Sequence, residues 1–115
     1  MSDLIVVVDT PGYLAKARRV MSEAECAAVV DMVARDPSCG AVIRGTGGLR
    51  KARVPLAGRG KRGGGRVIYW YHSPGYPAVL LWVFAKNEAS DLTADQQKAL
   101  SRAAAGLLDD FGAQR

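Results

Sequence analysis

Residues that support many kinds of site chemistry are scarce in this chain. Histidine occurs once, at His72, so acid–base catalysis would have to rely mainly on other groups. The two cysteines, Cys26 and Cys39, lack the spacing of a zinc site, and we interpret them as a reduced pair. The longest apolar run, Ala78–Ala85, is far shorter than the roughly 20 residues of a membrane-spanning helix. With no secretory signal visible, these absences predict a soluble, cytoplasmic protein without a metal site.

Basic residues and glycines, by contrast, are concentrated in the middle of the chain. The segment Arg44–Arg66 contains eight of the sixteen basic residues and no acid. The eight are Arg44, Arg50, Lys51, Arg53, Arg59, Lys61, Arg62 and Arg66. The eight basic and eleven acidic residues elsewhere give the rest of the chain a net charge of −3. A cationic field focused on one site attracts a polyanion, and nucleic acid is the usual one.

Local patterns predict the secondary structure of a single domain over residues 1–115. Leu4–Val8 is strand-like, Tyr13–Met21 can form a helix, and Ser22 opens a second helix with Glu25 completing a capping box. A loop is expected over Gly40–Gly48. Three strands follow, at Leu49–Val54, Arg66–His72 and Val79–Ala85, and Thr93 with Gln96 begins the last helix.

This order, β-α-α-β-β-β-α, predicts an α+β fold of two layers. The three consecutive strands form an antiparallel meander, because the turns between them are short. The glycine-rich stretch Ala57–Gly65 is expected to be a hairpin connection. The first strand joins the sheet at an edge, and Pro55 marks Leu49–Val54 as another possible edge. The helices are expected to cover one face of this antiparallel sheet.

Five segments that occur in order resemble one known family. They are Gly45–Arg53, Gly58–Gly64, Arg66–Tyr69, Ala85–Glu88 and Asp91–Thr93. Together they are similar to the RelE/HigB-like toxins of bacterial type II toxin–antitoxin modules. The resemblance implies a RelE-like domain that cuts messenger RNA in the ribosomal decoding site and needs no metal or cofactor. It also implies a cognate antitoxin, of helix-turn-helix type and encoded by a neighbouring gene, that silences the toxin.

The implied cleavage uses the RNA itself as nucleophile. The 2′-hydroxyl attacks the adjacent phosphate and leaves a cyclic phosphate and a free 5′-hydroxyl. Fixed cations can bind the extra negative charge of that transition state more tightly than the ground state. Lys51 and Arg53 are two residues apart on one predicted strand and therefore point to one face. Arg66 opens the next strand and could face the same site.

These considerations give a set of candidate site residues. The catalytic candidates are Lys51, Arg53, Arg66 and Lys86, with Lys51 or Lys86 as general base and the two arginines holding the phosphate. The candidates for binding RNA or the ribosome are Arg44, Arg50, Arg59, Lys61, Arg62 and His72. After Lys86 the chain departs from better-known family members, which have a Tyr, or a His with an acid, in this region. Here the corresponding residues are Asn87, Asp91 and Thr93.

Two other functions fit parts of the same sequence. A gyrase-inhibiting toxin of this fold is one, although such relatives lack the clustered strand-borne Lys and Arg seen here. A non-catalytic nucleic-acid-binding module is the other, and it would bind in a salt-dependent way without cutting. Tyr69, Trp70 and Tyr71 could stack on bases, but alternation buries at least one face of their strand, so packing is the simpler interpretation.

Overall fold

A computed structural model describes residues 4–56, 64–86, 88–89 and 91–113. Its elements are β1 (Val7–Asp9), α1 (Pro11–Val20), α2 (Glu23–Arg35), β2 (Ala41–Val42), β3 (Leu49–Val54), β4 (Gly65–Trp70), β5 (Ala78–Ala85) and α3 (Ala94–Ala113). This is the predicted order with one addition, β2, which lies where a loop was expected. Both residues of β2 are exposed, so the strand is defined by its backbone pairing with β3 and by no apolar pattern.

The strands form one sheet in the order β1-β5-β4-β3-β2. The meander β3–β4–β5 is confirmed, since both pairings are antiparallel. β1 lies at an edge, as predicted, but runs parallel to β5, so the sheet is mixed. The alternation of side chains along a strand carries no information about whether the strand runs parallel or antiparallel to its neighbour. That direction depends on how the chain connects the two strands. The other predicted edge, Leu49–Val54, is flanked by β2 and is not the outermost strand.

Helices pack on both faces of this sheet. On the first face the buried residues come from α1, α2 and the strands, and include Tyr13, Ala17, Val29, Val33, Val67, Tyr69 and Leu80. On the second face Ala104 of α3 packs with Leu49, Ile68, Trp70, Val79 and Phe84. The α+β class is confirmed, with the correction that α3 lies opposite α1 and α2. Successive residues of β4 and β5 are apolar and point to opposite faces, so helices must pack on both faces to bury them.

The predicted starts of α2 and α3 are confirmed by their capping contacts, whereas α1 begins at Pro11, two residues before the predicted Tyr13. Ser22 Oγ accepts from the Glu25 backbone N–H at 3.1 Å, and Glu25 accepts from the Ser22 N–H at 2.9 Å. Thr93 and Gln96 make the same reciprocal pair at the start of α3, at 3.1 and 2.9 Å. Each box satisfies two N–H groups that the helix itself leaves unpaired. No helix in the described part of the chain is both long and apolar enough to cross a membrane.

The Tyr69 side chain ties the sheet to the segment that follows α2. Its hydroxyl donates to the Pro37 carbonyl at 2.8 Å and accepts from the Gly40 N–H at 2.9 Å. A Cβ on residue 40 would lie 2.9 Å from the Tyr69 ring, so glycine permits this approach. Burial raises the pKa of the Tyr69 hydroxyl, which therefore stays protonated at neutral pH. Tyr69 is a packing and anchoring residue, as the alternation of β4 indicated.

We expect Tyr69→Phe to lower the free energy of unfolding by about 1–3 kcal/mol, because the buried Gly40 N–H would lose its acceptor. Urea denaturation followed by circular dichroism measures this loss. Tyr71→Phe is the matched control, since it removes a hydroxyl from the same region of the first face. An equal loss in both variants would show that the Pro37 and Gly40 contacts do not stabilise the fold.

Candidate functional site

Three basic side chains lie together on the second face of the sheet, and we call Lys51, Arg53 and Arg66 the cationic cluster. Arg53 is directly opposite Arg66, and Lys51 is opposite Ile68, in the antiparallel pairing of β3 with β4. Ile68 is buried on the second face, so alternation places all three cluster residues on that face. Like charges on opposed residues destabilise a sheet, whereas a bound anion between them would be stabilised.

The cationic cluster is partly accessible to solvent. Arg53 is exposed, Arg66 is partly buried, and the Lys51 side chain is 32% exposed. Phe111, near the C-terminal end of α3, stacks on Trp70, at the end of β4 remote from Arg66. Phe84, which is opposite Arg66, is buried with the second-face cluster. The accessible part of the site is therefore the part at Arg53 and Lys51.

Lys86 adds a fourth basic residue at the same end of the sheet. It directly follows β5, whose Ala85 is paired with Gly65 of β4. The Lys86 backbone N–H donates to the Gly64 carbonyl at 2.9 Å, which continues the pairing by one residue. Its side chain is exposed. Lys86 is thus adjacent in the sheet to the start of β4, where Arg66 lies.

An acidic residue, Asp91, also lies at this site, and the sequence pattern assigned it no role. Both carboxylate oxygens lie 3.2 Å from Lys51 Nζ. The Leu92 backbone N–H also donates to Oδ1 at 2.8 Å. The hydrogen bond from Leu92 lowers the pKa of Asp91, and Lys51 and the charge of Arg66 add to this effect against the opposing effect of burial. Asp91 is therefore ionised at neutral pH and lies within the field of two cluster residues.

Arg50 does not join the cationic cluster, although it is adjacent to Lys51 in sequence. Alternation turns it to the first face, where its Nη1 donates to the Gly40 carbonyl at 2.7 Å and to the Ser38 carbonyl at 3.3 Å. Its side chain therefore holds the same segment that Tyr69 anchors. The structure gives Arg50 contacts with backbone carbonyls and places it on the opposite face of the sheet from the cationic cluster.

His72 and Arg44 lie toward the opposite end of the sheet. His72 follows β4 at the end remote from Arg66, where Nδ1 is 2.8 Å from Ser73 Oγ and the ring centroid is 4.6 Å from that of Tyr76. Arg44 is exposed and precedes Leu49, which pairs with Trp70 at that end. The remaining basic candidates, Arg59, Lys61 and Arg62, fall outside the described residues, as does most of the predicted hairpin.

The side chains brought together favour binding of a phosphate group. Guanidinium groups match the oxygens of a phosphate in a planar, bidentate way, and an ammonium group acts as a point charge. His72 lies at the opposite end of the sheet and Tyr69 on the first face, so neither reaches the cluster, in which Lys51 is paired with Asp91. Within the described ranges, no group of three or more His, Cys, Asp or Glu residues is arranged to hold a metal ion.

Comparisons with known proteins identify relatives of this chain. A family model described as the RelE toxin of the RelE/RelB toxin–antitoxin system matches residues 13–114. Among solved structures, a double arginine-to-alanine mutant of the E. coli toxin RelE in the free state is similar, with a TM-score of 0.54 and 13% sequence identity. The match covers 76% of this chain and 88% of that chain. At this identity the structural similarity concerns the fold, which agrees with the predicted RelE-like domain.

Proposed function

Because the chain belongs to the RelE toxin family, we propose that it is a toxin that cuts messenger RNA on the ribosome. The observation that supports this most directly is the cationic cluster, in which Arg53 and Arg66 are directly opposed and Lys51 lies on the same face. A cluster of this kind is costly to the sheet by itself and favourable with a phosphate bound. Its partly accessible position on the second face suits a polymeric substrate.

In the proposed reaction the RNA 2′-oxygen forms a bond to the adjacent phosphorus as the bond to the 5′-oxygen breaks. The products carry a 2′,3′-cyclic phosphate and a 5′-hydroxyl, since the 2′-hydroxyl gives up one proton and the leaving 5′-oxygen takes one up. Arg53 and Arg66 bind the non-bridging oxygens and stabilise the charge that grows on them in the transition state. Positioned donors are effective here because they need no reorganisation during the reaction.

The two lysines are assigned different tasks. Lys51 is proposed to act as a fixed cation, because its Nζ lies 3.2 Å from the Asp91 carboxylate on the face that carries Arg53 and Arg66. Lys86, whose side chain is exposed at the same end of the sheet, is the candidate for moving the proton of the 2′-hydroxyl. Arg44, Arg59, Lys61, Arg62 and His72 are proposed to contact RNA or the ribosome outside the reacting phosphate. Arg50 is left out of these contacts, since its guanidinium binds backbone carbonyls on the first face.

Membership of the family also implies an antitoxin partner. We propose that the antitoxin neutralises the toxin by placing acidic groups on the cationic cluster or by adding an extended segment to a sheet edge. Within the described residues the outer strands are β1 and the two-residue β2. β2 pairs only with Arg50 and Lys51, so Ala52–Val54 has no strand partner on that side among those residues. Arg53 lies in this unpaired part of β3. One bound antitoxin segment could therefore both pair with the strand and cover the Arg53 side chain.

Expression of the chain alone in bacteria is expected to stop growth and to produce new 5′ ends within translated messages. Primer extension on RNA from induced cells measures these ends, and co-expression of the neighbouring reading frame should remove them. A parallel reaction on naked RNA and on translating ribosomes tests whether cleavage requires the ribosome. Intact messages together with blocked DNA supercoiling would instead indicate a gyrase inhibitor. Salt-dependent RNA binding without any cut would indicate a non-catalytic binding module.

A further inference from the structure

The Asp91 carboxylate occupies a place in the cationic cluster that suits an anion. Both of its oxygens lie 3.2 Å from Lys51 Nζ, and Arg66 is close enough for its charge to act on the carboxylate. Lys51 and Asp91 are 40 residues apart in sequence, so this contact depends on the path of the chain after β5. The backbone N–H of Leu92 also donates to Oδ1, at 2.8 Å, and helps to hold the carboxylate in place.

Two other acidic residues near the connection between β5 and α3, Glu88 and Asp95, make different contacts from Asp91. Glu88 Oε1 lies 3.0 Å from Lys16 Nζ of α1, and the Ala85 N–H also donates to it, so this oxygen is held near the C-terminal end of β5. Asp95 is exposed in the first turn of α3, where a carboxylate is favoured by the positive end of the helix dipole. The contact with Lys51 is therefore specific to Asp91 among these three acids.

We propose that Asp91 is a resident counterion, which pairs with Lys51 in the free protein and is exchanged for an RNA phosphate when RNA binds. The inference rests on the proposed function, since it concerns regulation of the same site. A phosphate that binds beside Lys51 Nζ is repelled by the Asp91 carboxylate, so RNA binding carries the cost of moving that carboxylate away and breaking the ion pair. That cost lowers the affinity of the free toxin for polyanions that do not engage the whole site.

Exposure allows this exchange to occur without disturbing the fold. The Asp91 side chain is 58% exposed and can turn into solvent, where its charge is hydrated. An exposed ion pair contributes little to folding, so breaking it does not threaten the domain. The expected consequence is a toxin that binds RNA weakly by itself and strongly only where additional contacts, such as those of the ribosome, compensate.

The test is a double-mutant cycle on RNA binding by the full chain. The probe is a fluorescent single-stranded oligoribonucleotide whose 2′-hydroxyls are methylated, so that it cannot be cut. Fluorescence anisotropy at about 0.15 M salt, where the Debye length is about 8 Å, should show that Asp91→Asn binds about fivefold more tightly than wild type, which is the upper size expected for release of an exposed ion pair. Asp95→Asn is the matched control, because it removes the same charge four residues away, and its effect should stay below about twofold.

The second arm of the cycle repeats both substitutions with Lys51→Ala. Without Lys51, the increase in RNA affinity caused by Asp91→Asn should be no larger than that caused by Asp95→Asn, because Asp91 then has no ion pair with Lys51 to release. Equal gains for the two Asp variants, or a gain that persists without Lys51, would reject the counterion role. Weaker binding by Asp91→Asn would also reject it, and would show instead that Asp91 positions Lys51 for RNA.

These outcomes are separable from failure of the proposed function. Methylated RNA reports binding alone, whereas the primer-extension experiment reports cleavage. If Asp91 and Lys51 are coupled in RNA binding but no messages are cut, the cluster is an anion-binding site and the proposed nuclease activity is rejected. If messages are cut but the two residues are not coupled, the nuclease activity is supported and the counterion role of Asp91 is rejected. Asparagine can still accept from the Leu92 N–H, and thermal unfolding of each variant verifies that the fold is retained.

Discussion

Replacement of Arg66 by alanine is expected to reduce messenger RNA cleavage by roughly 100- to 1,000-fold, or about 3–4 kcal/mol of transition-state stabilisation. Arg66 is opposite Arg53 in the sheet and is partly buried, and its Nη1 donates to the Gly65 carbonyl at 3.0 Å. The guanidinium is therefore held in place before RNA binds, which is the condition for a large effect. Cleavage rates on translating ribosomes, compared with the wild type at equal protein concentration, measure it.

The control for this prediction is Arg18→Ala. Arg18 is exposed on α1, which packs on the first face, so the variant loses an equal charge far from the cluster. Its cleavage rate should stay within about twofold of the wild type, because charges separated by more than a Debye length are screened. Lys51→Ala and Arg53→Ala should resemble Arg66→Ala. A folded Arg66→Ala variant with the wild-type rate would place the reacting phosphate elsewhere.

The fold itself should be most sensitive at Trp70, where alanine is expected to cost about 3–5 kcal/mol of unfolding free energy. Trp70 has no exposed surface, and its ring stacks on Phe111 of α3 at a centroid distance of 6.2 Å. Tyr76 meets the same ring edge-on at 5.9 Å. The indole thus joins the C-terminal part of α3 to the second face. Urea denaturation in the Arg66→Ala background, which avoids toxicity during production, measures the loss.

Trp70→Phe separates packing from hydrogen bonding at this position. Trp70 Nε1 has no hydrogen-bond partner among the described residues, so phenylalanine loses ring volume and no bond. Trp70→Phe should therefore lower the free energy of unfolding by less than half as much as Trp70→Ala does. A loss below about 1 kcal/mol in the alanine variant would mean that α3 is not anchored through this residue, and that the remaining contacts of the second face suffice.

The location of the candidate site follows from the arrangement of the layers. The C-terminal part of α3 reaches the Trp70 end of β4 through Phe111, and the helix begins at Ala94, directly after the connection that carries Asp91. This connection brings the Asp91 carboxylate to Lys51, while Arg53, two residues farther along β3, is exposed and is the proposed contact for RNA. The place of the proposed counterion therefore depends on where α3 starts.

Much of this protein is determined by residues within a few positions of one another. The reciprocal contacts of Ser22 with Glu25 and of Thr93 with Gln96 require only helical spacing, and both were predicted correctly. Alternation in β3 placed Lys51 and Arg53 on one face and turned Arg50 to the other, because the period of a strand is two residues. The density of basic residues between Arg44 and Arg66 indicated a site for a polyanion before any pairing was known.

The tertiary structure alone decided the features that join distant parts of the chain. The parallel direction of β1 beside β5, the added strand β2 and the position of α3 on the second face depend on how the connections run. The same is true of the contact between Lys51 and Asp91, 40 residues apart. Local propensity and periodicity describe which side of an element is apolar or charged. They carry no information about which distant side chain arrives there, because that is set by the packing of complete elements against one another.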